Sequence, residues 1–228
     1  MSGEASRDDG RHATTTNAAL PSDDQRRLLL KAAAYLLGYP DEGLGALLDE
    51  IRPDLEPMEG EAAASLVTAM TRLQAIPLAT LVASYVASFD FSEARALYLT
   101  AHELGDSRRR GQALLDLLAM MRAAGFEPPD GELPDHLPTL LEFVSCAPSD
   151  MDVSALEQRL ATVCAQIRDE LAPEDPYQPV LAALCMLLPA AEPKEAPDAQ
   201  VRTRAPRQRF PLHERADTVD LPYPLRYE

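Results

Sequence analysis

From Ser22 to Leu188 the apolar residues recur three and four positions apart, in runs that Pro or Gly interrupts at short intervals. No segment alternates with the period of two that a strand requires. The pattern commits the backbone to amphipathic helices, each with one face that must be buried on a neighbour. Composition agrees. Gly accounts for 10 of 228 residues and aromatic residues for 5%, so the turn glycines and aromatic runs that all-β folds consume are missing. Hydrophobic residues, at 46%, are enough for a real core. The expected fold is all-α, a single-domain helical bundle of about eight to nine helices.

The punctuation sets the boundaries. A first helix opens at a capping box, Ser22-Asp23-Asp24-Gln25, runs through Leu28, Leu29, Ala32, Tyr35 and Leu36, and stops at Gly38 with Pro40 beyond. A short second helix is expected over 42–51, ended by Pro53, and a third over 59–75. Pro77 suits the first position of a fourth, which ends near Ser88. A fifth is expected over 92–104, with Leu97, Thr100 and Ala101 at helical spacing, and Gly105 ends it. The sixth, 106–124, carries Leu114, Leu115, Leu117, Leu118 and Met121 and closes at Gly125. After a connection holding Pro128, Pro129, Gly131 and Pro134, a seventh opens between Asp135 and Pro138 and reaches Cys146. The eighth, 152–171, presents Val153, Leu156, Leu160, Val163, Cys164 and Ile167 as its buried stripe, and a ninth covers 176–188.

Lys and Arg number 21 against 37 Asp and Glu, a net charge of −16. A nucleic-acid binder needs a basic face to displace counterions, and an anionic membrane surface repels an acidic chain, so neither is an expected partner. The charge is uneven. Residues 189–228 hold seven basic and seven acidic side chains together with seven prolines, whereas 1–188 carry the whole −16. Segments 1–21 and 189–228 are expected to be flexible tails around one helical domain at 22–188. The first residues include acids and no apolar stretch, unlike a secretory signal. The longest uncharged apolar run, 177–191, is broken by Pro179 and Pro189 and is shorter than the roughly 20 residues of a spanning helix. Cys146, Cys164 and Cys185 are odd in number and lie in apolar stretches, so reduced, buried thiols and a cytoplasmic location are expected.

Candidate chemistry is sparse. There is no phosphate-binding glycine loop and no nucleophile elbow. His102-Glu103-Leu104-Gly105-Asp106 comes within one residue of a zinc-protease helix, with Asp106 where a second His would stand. A metal-dependent hydrolase on His102, Glu103 and Asp106 is therefore one reading. The plainer one has His102 packing at a helix end and Asp106 capping the next helix. In Glu132-Leu133-Pro134-Asp135-His136-Leu137-Pro138, Asp135 reads as an N-cap, and two prolines hold an acid and an imidazole in a fixed exposed turn. Arg108-Arg109-Arg110 opposes the dipole of the helix it begins, which calls for carboxylates nearby or a solvated face. Phe89-Asp90-Phe91 joins two helices, and one or both rings are expected to plug the core between them. The excess acid either serves solubility or attracts a cationic partner segment.

Phe89-Asp90-Phe91-Ser92-Glu93, Leu97-Tyr98-Leu99-Thr100, His102 through Arg108, Arg110-Gly111, the Glu132 to Pro138 string and Leu141-Glu142-Phe143 together resemble the NarJ-type assembly chaperones of respiratory nitrate reductase. These form a branch of the TorD/DmsD redox-enzyme maturation proteins. The resemblance covers about residues 24–188 and is most specific at 89–111 and 132–143. It implies an all-helical chaperone without catalytic turnover or a stably bound cofactor. Such a chaperone binds the apo catalytic subunit, including its N-terminal twin-arginine-like segment, and supports molybdenum cofactor insertion before membrane attachment. Another molybdoenzyme of the same group is the alternative client. Carried over by position, the resemblance places the peptide-binding surface at Phe89, Asp90, Glu93, Tyr98, His102, Asp106, Arg108, Asp135, His136, Leu137 and Glu142. Asp90, Glu93, Asp135 and Glu142 would include the acids facing the peptide's arginines, and Phe89, Tyr98 and Leu137 would give apolar contacts. Imidazoles titrate near neutrality, so affinity is expected to change between about pH 5 and 8.

Overall fold

Ser22 caps the first helix as the sequence requires. Its hydroxyl accepts from the Gln25 amide at 3.3 Å, while the Gln25 side-chain oxygen accepts from the Ser22 amide at 3.1 Å. The computed structural model describes residues 21–189. In chain order these form α1 (Asp23–Leu36), α2 (Leu44–Leu55), α3 (Glu61–Gln74), α4 (Leu78–Phe89), a 3₁₀ turn (Glu93–Arg95), α5 (Leu99–Leu104), α6 (Arg109–Ala123), α7 (Leu137–Cys146), α8 (Ser154–Glu170) and α9 (Gln178–Leu187). The all-α expectation holds. Among the described residues the β contact is a single isolated bridge, Tyr98 to His136. Apart from Pro21 and Pro189, the tails expected at 1–21 and 189–228 lie outside the described residues.

The apolar stripes decide how the helices pack. α1 lies along α7, α3 along α9, and α9 also packs on α8 and α1, so these five helices share one continuous core. Leu30, Leu37, Leu66, Met70, Leu140, Leu141 and Leu184 are fully enclosed there. Each such side chain contributes about 1.5–3 kcal/mol by leaving water. Tyr39, Tyr85, Phe89 and Tyr177 meet edge to face at centroid distances of 5.0 to 5.6 Å, joining α4 to the start of α9. Phe89 thus plugs the core as expected of one ring, whereas Phe91 is 83% exposed.

Four expectations are corrected. Pro53 does not end the second helix, which continues to Leu55 with Pro53 inside it. Leu48 and Leu55, two turns apart, are both buried in the core. Arg52 and Asp49 both bond Gln74 of α3, at 2.6 and 2.9 Å, so tertiary contacts hold the turn that Pro53 weakens. The single helix expected over 92–104 is instead the 3₁₀ turn, a non-helical stretch at 96–98 and the six-residue α5. Cys146 is exposed rather than buried, although Cys164 is buried and Cys185 half-buried. Burial pushes the Cys164 thiol well above its usual range. Asp135 does not cap α7; that position falls to His136, with no side-chain cap bond.

Candidate functional site

The non-helical stretch at 96–98 exists because it pairs with the start of α7. The Leu99 amide donates to the Asp135 carbonyl at 2.9 Å, and the Leu137 amide donates to the Leu97 carbonyl at 2.8 Å. This short antiparallel contact joins the two sequence blocks that carry the candidate residues. Asp135, 0% exposed, sits at the joint. Its carboxylate accepts from the Thr100 amide at 3.2 Å and from the Thr100 hydroxyl, and Arg110 Nη2 approaches at 3.5 Å. Asp135 therefore caps the first turn of α5 from across the fold, not its own helix.

On the outer side of that joint lies a groove of about 420 Å³ between the C-terminal end of α1 and the segment from Pro129 into α7. Its lining includes Tyr35 and Gly38 from α1 and its end, His136, Thr139 and Glu142 from the start of α7 onward, and Asp130 and Glu132 from the connection before α7. Gly131 makes the turn between those acids at φ +84°, a conformation that disfavours any side chain. The Tyr98 hydroxyl donates to Glu132 Oε1 at 3.1 Å. Burial, and then the adjacent Glu132 carboxylate, pushes that hydroxyl up to about 12. The His136 ring lies 5.4 Å from the Tyr98 ring, and its Nδ1 is 3.8 Å from Glu132 Oε2. Burial lowers the His136 pKa, against the opposing pull of Glu132 and Asp135. Lys31 sits 5.8 Å above the Tyr35 ring, and its pKa is raised by Tyr35 first and by Glu142 among the smaller causes. The groove lining thus carries three carboxylates, Asp130, Glu132 and Glu142, beside one imidazole held below its usual pKa by burial.

Of the residues expected to form the surface, His136 and Glu142 line this groove, and Tyr98 supports it from behind. Asp90 is exposed at the end of α4, close enough to contribute to the upward shift of the Tyr98 hydroxyl. Glu93, Asp106 and Arg108 are exposed but outside the groove lining. Phe89, Asp135 and Leu137, expected to face a peptide, are 2%, 0% and 0% exposed, so they support the site from the interior. His102 Nε2 bonds the Ala96 carbonyl at 2.7 Å, and Glu103 forks onto Arg159 of α8 at 2.7 and 2.8 Å. Gly105 ends α5 at φ +53° before Asp106, so His102, Glu103 and Asp106 do not assemble as a metal triad. Among the described residues no group of three His, Cys, Asp or Glu side chains gathers as a metal site. The Ser107 hydroxyl, not Asp106, accepts the Arg109 amide near the start of α6. Of the three arginines only Arg110 turns inward.

Tyr35, Asp130 and Thr139 belong to the groove without having been expected there, and Glu132 belongs to it although only its motif was noted. Asp130 had a legible signal, because an acid before Gly in a Pro-rich connection marks an exposed turn. Tyr35 had none. It reads as part of the buried stripe of α1, and only the line along which α7 crosses α1 leaves it half-open.

The family model described as nitrate reductase delta subunit matches residues 52–173. The chain is 32% identical over 162 residues to the nitrate reductase molybdenum cofactor assembly chaperone NarJ of Escherichia coli K12, covering 70% of this chain and 68% of that protein. It is 31% identical over 139 residues to the probable nitrate reductase molybdenum cofactor assembly chaperone NarJ of Bacillus subtilis, covering 60% and 76%. It is 29% identical over 167 residues to the nitrate reductase-like protein NarX of Mycobacterium tuberculosis H37Rv, covering 72% of this chain. The chain spans only 25% of the length of NarX.

Proposed function

The chain belongs to the nitrate reductase delta subunit family, and on that premise we propose that it is an assembly chaperone, not an enzyme. Its client is the apo catalytic subunit of a respiratory nitrate reductase. The N-terminal twin-arginine-like segment of that subunit docks in the groove between α1 and α7. While held, the subunit receives its molybdenum cofactor, which is the client's group and not a resident of this chain. The observation that carries the reading is the groove itself, which places Asp130, Glu132 and Glu142 along one cleft of a chain with net charge −16. Carboxylates bind arginine bidentately, while the Tyr35 and Pro138 walls cover apolar parts of a peptide. The absence of any helix long and apolar enough to cross a membrane, among the described residues, is compatible with action before membrane attachment.

Titration calorimetry with a synthetic peptide of the client's N-terminal segment tests the reading. Glu142→Ala and Asp130→Ala are each expected to weaken binding about tenfold, since a hydrogen bond to a charged group is worth about 1.5–3 kcal/mol. Unaltered affinity in the double variant removes the groove as the site.

A further inference from the structure

We infer that Arg110 is a positioning residue for the groove: it acts through the buried Asp135 carboxylate to fix the turn carrying Glu132 and His136, and so ties α6 to that turn. Three contacts close the node. Arg110 Nε donates to Thr100 Oγ1 at 3.0 Å, the same hydroxyl donates to Asp135 Oδ2, and Arg110 Nη2 faces Oδ2 at 3.5 Å. The other carboxylate oxygen, Asp135 Oδ1, is buried with no hydrogen-bond partner among the described residues. Arg110 is likewise the cation paired with Asp135 among them. A buried carboxylate held through one oxygen depends heavily on its counter-charge.

The dependence runs both ways. Three consecutive arginines at the start of a helix oppose its dipole, so Arg110 stays turned inward because Asp135 receives it. α6 buries only Leu117 and Met121 from its own fifteen residues, and its main neighbour is α5, so the ion pair is a principal anchor at its N-terminal end. Asp135 immediately precedes His136, and its backbone carbonyl holds the Leu99 amide. Displacing α6 uncovers the Asp135 charge beside His136 and loosens the backbone pairing that orients the groove wall.

The groups facing His136 are known, which makes its titration a usable probe. Glu132 and Asp135 lie on its own turn, Tyr98 comes from the segment before α5, and Thr139 from α7. Tyr35, Asp130 and Glu142 line the same groove. Proton NMR of the full chain, with His136→Gln to assign the resonance, reads the midpoint directly. Arg110→Met is expected to raise it by about half a pH unit, because the Asp135 charge one residue away loses its counter-charge. Arg109→Met, which removes an exposed cation of equal charge, is expected to leave it in place. Arg110→Lys keeps the charge and is expected to bring the midpoint back toward the wild-type value. Should Arg110→Met not fold, Asp135→Asn, nearly isosteric, tests the reverse direction: amide exchange in the first turns of α6 is expected to speed up about tenfold. An unmoved His136 midpoint in folded Arg110→Met, or unchanged α6 exchange in Asp135→Asn, overturns the assignment. The functional consequence rests on the peptide reading of the groove, but these readouts do not require a peptide. Shifted titration without peptide binding therefore defeats the proposed function alone, whereas peptide binding with both readouts unmoved defeats the positioning role alone.

Discussion

A carboxylate withdrawn from water is tolerable only where donors replace the hydration it has lost. Asp135 meets that condition at Oδ2, with the Thr100 amide, the Thr100 hydroxyl and Arg110, while Oδ1 has no partner among the described residues, and it is correspondingly difficult to replace. Asp135→Ala is expected to cost about 3 kcal/mol, because it strands a partly buried guanidinium and uncaps α5; a urea midpoint at an unchanged slope checks this. Glu142→Ala, at a half-exposed position, is expected to stay within about 0.5 kcal/mol of wild type on the same measurement. The contrast separates a residue proposed to bind from one that builds. His136 carries the pH dependence. Burial lowers its folded-state pKa below the unfolded value of 6.5, so the folded protein takes up its proton less readily. Its contribution to stability is thus fully present above about pH 6.5 and declines as pH falls through that value toward the lower folded-state pKa. Protonation also places a cation in an acidic groove, so affinity for a cationic peptide is expected to fall over the same window. Calorimetry at pH 7.5 and pH 5.5 measures that change, and His136→Gln should flatten it.

Helices α2 and α5 show local preference and long-range packing pulling in opposite directions. Pro53 removes the amide that would bond the Asp49 carbonyl and disfavours helical backbone at Arg52, yet α2 runs through it. Pro53→Ala is expected to raise stability by on the order of 1–3 kcal/mol, visible as a higher melting temperature, since the side chain is exposed and the restored bond costs nothing in packing. In α5 the balance tips the other way. Leu97, Thr100 and Ala101 have helical spacing, but the hydrogen bonds offered by Asp135 and Leu137 hold 96–98 out of the helix and delay it to Leu99. Gly105 then ends it at φ +53°, where a β-carbon is strained despite open space around it. Gly105→Ala is expected to cost about 1–2 kcal/mol in the same melting experiment.

At the scale of the whole molecule, charge and shape act together. On the proposed reading, a chain of net charge −16 draws a cationic segment toward it from many directions, and the groove between α1 and α7 is where that attraction ends. Association with the client peptide is therefore expected to slow markedly between 50 mM and 300 mM salt with a smaller change in dissociation, which stopped-flow measurement resolves. On the proposed reading, recovery of the apo catalytic subunit on the immobilised full chain is the corresponding expected outcome in a cell extract. Helical periodicity, Pro and Gly punctuation and the Ser22 capping box suffice by themselves for the all-α class and the approximate limits of most helices, because those signals act over a few residues of backbone. The resemblance of blocks 89–111 and 132–143 to a chaperone family was equally legible. Hidden from any local reading were the burial of Asp135 and Leu137, the break at 96–98, and the part Tyr35 plays in the groove. Each depends on which segment crosses which, and hydrogen bonds and buried faces contributed from some 35 residues away enter the balance only after the helices have packed.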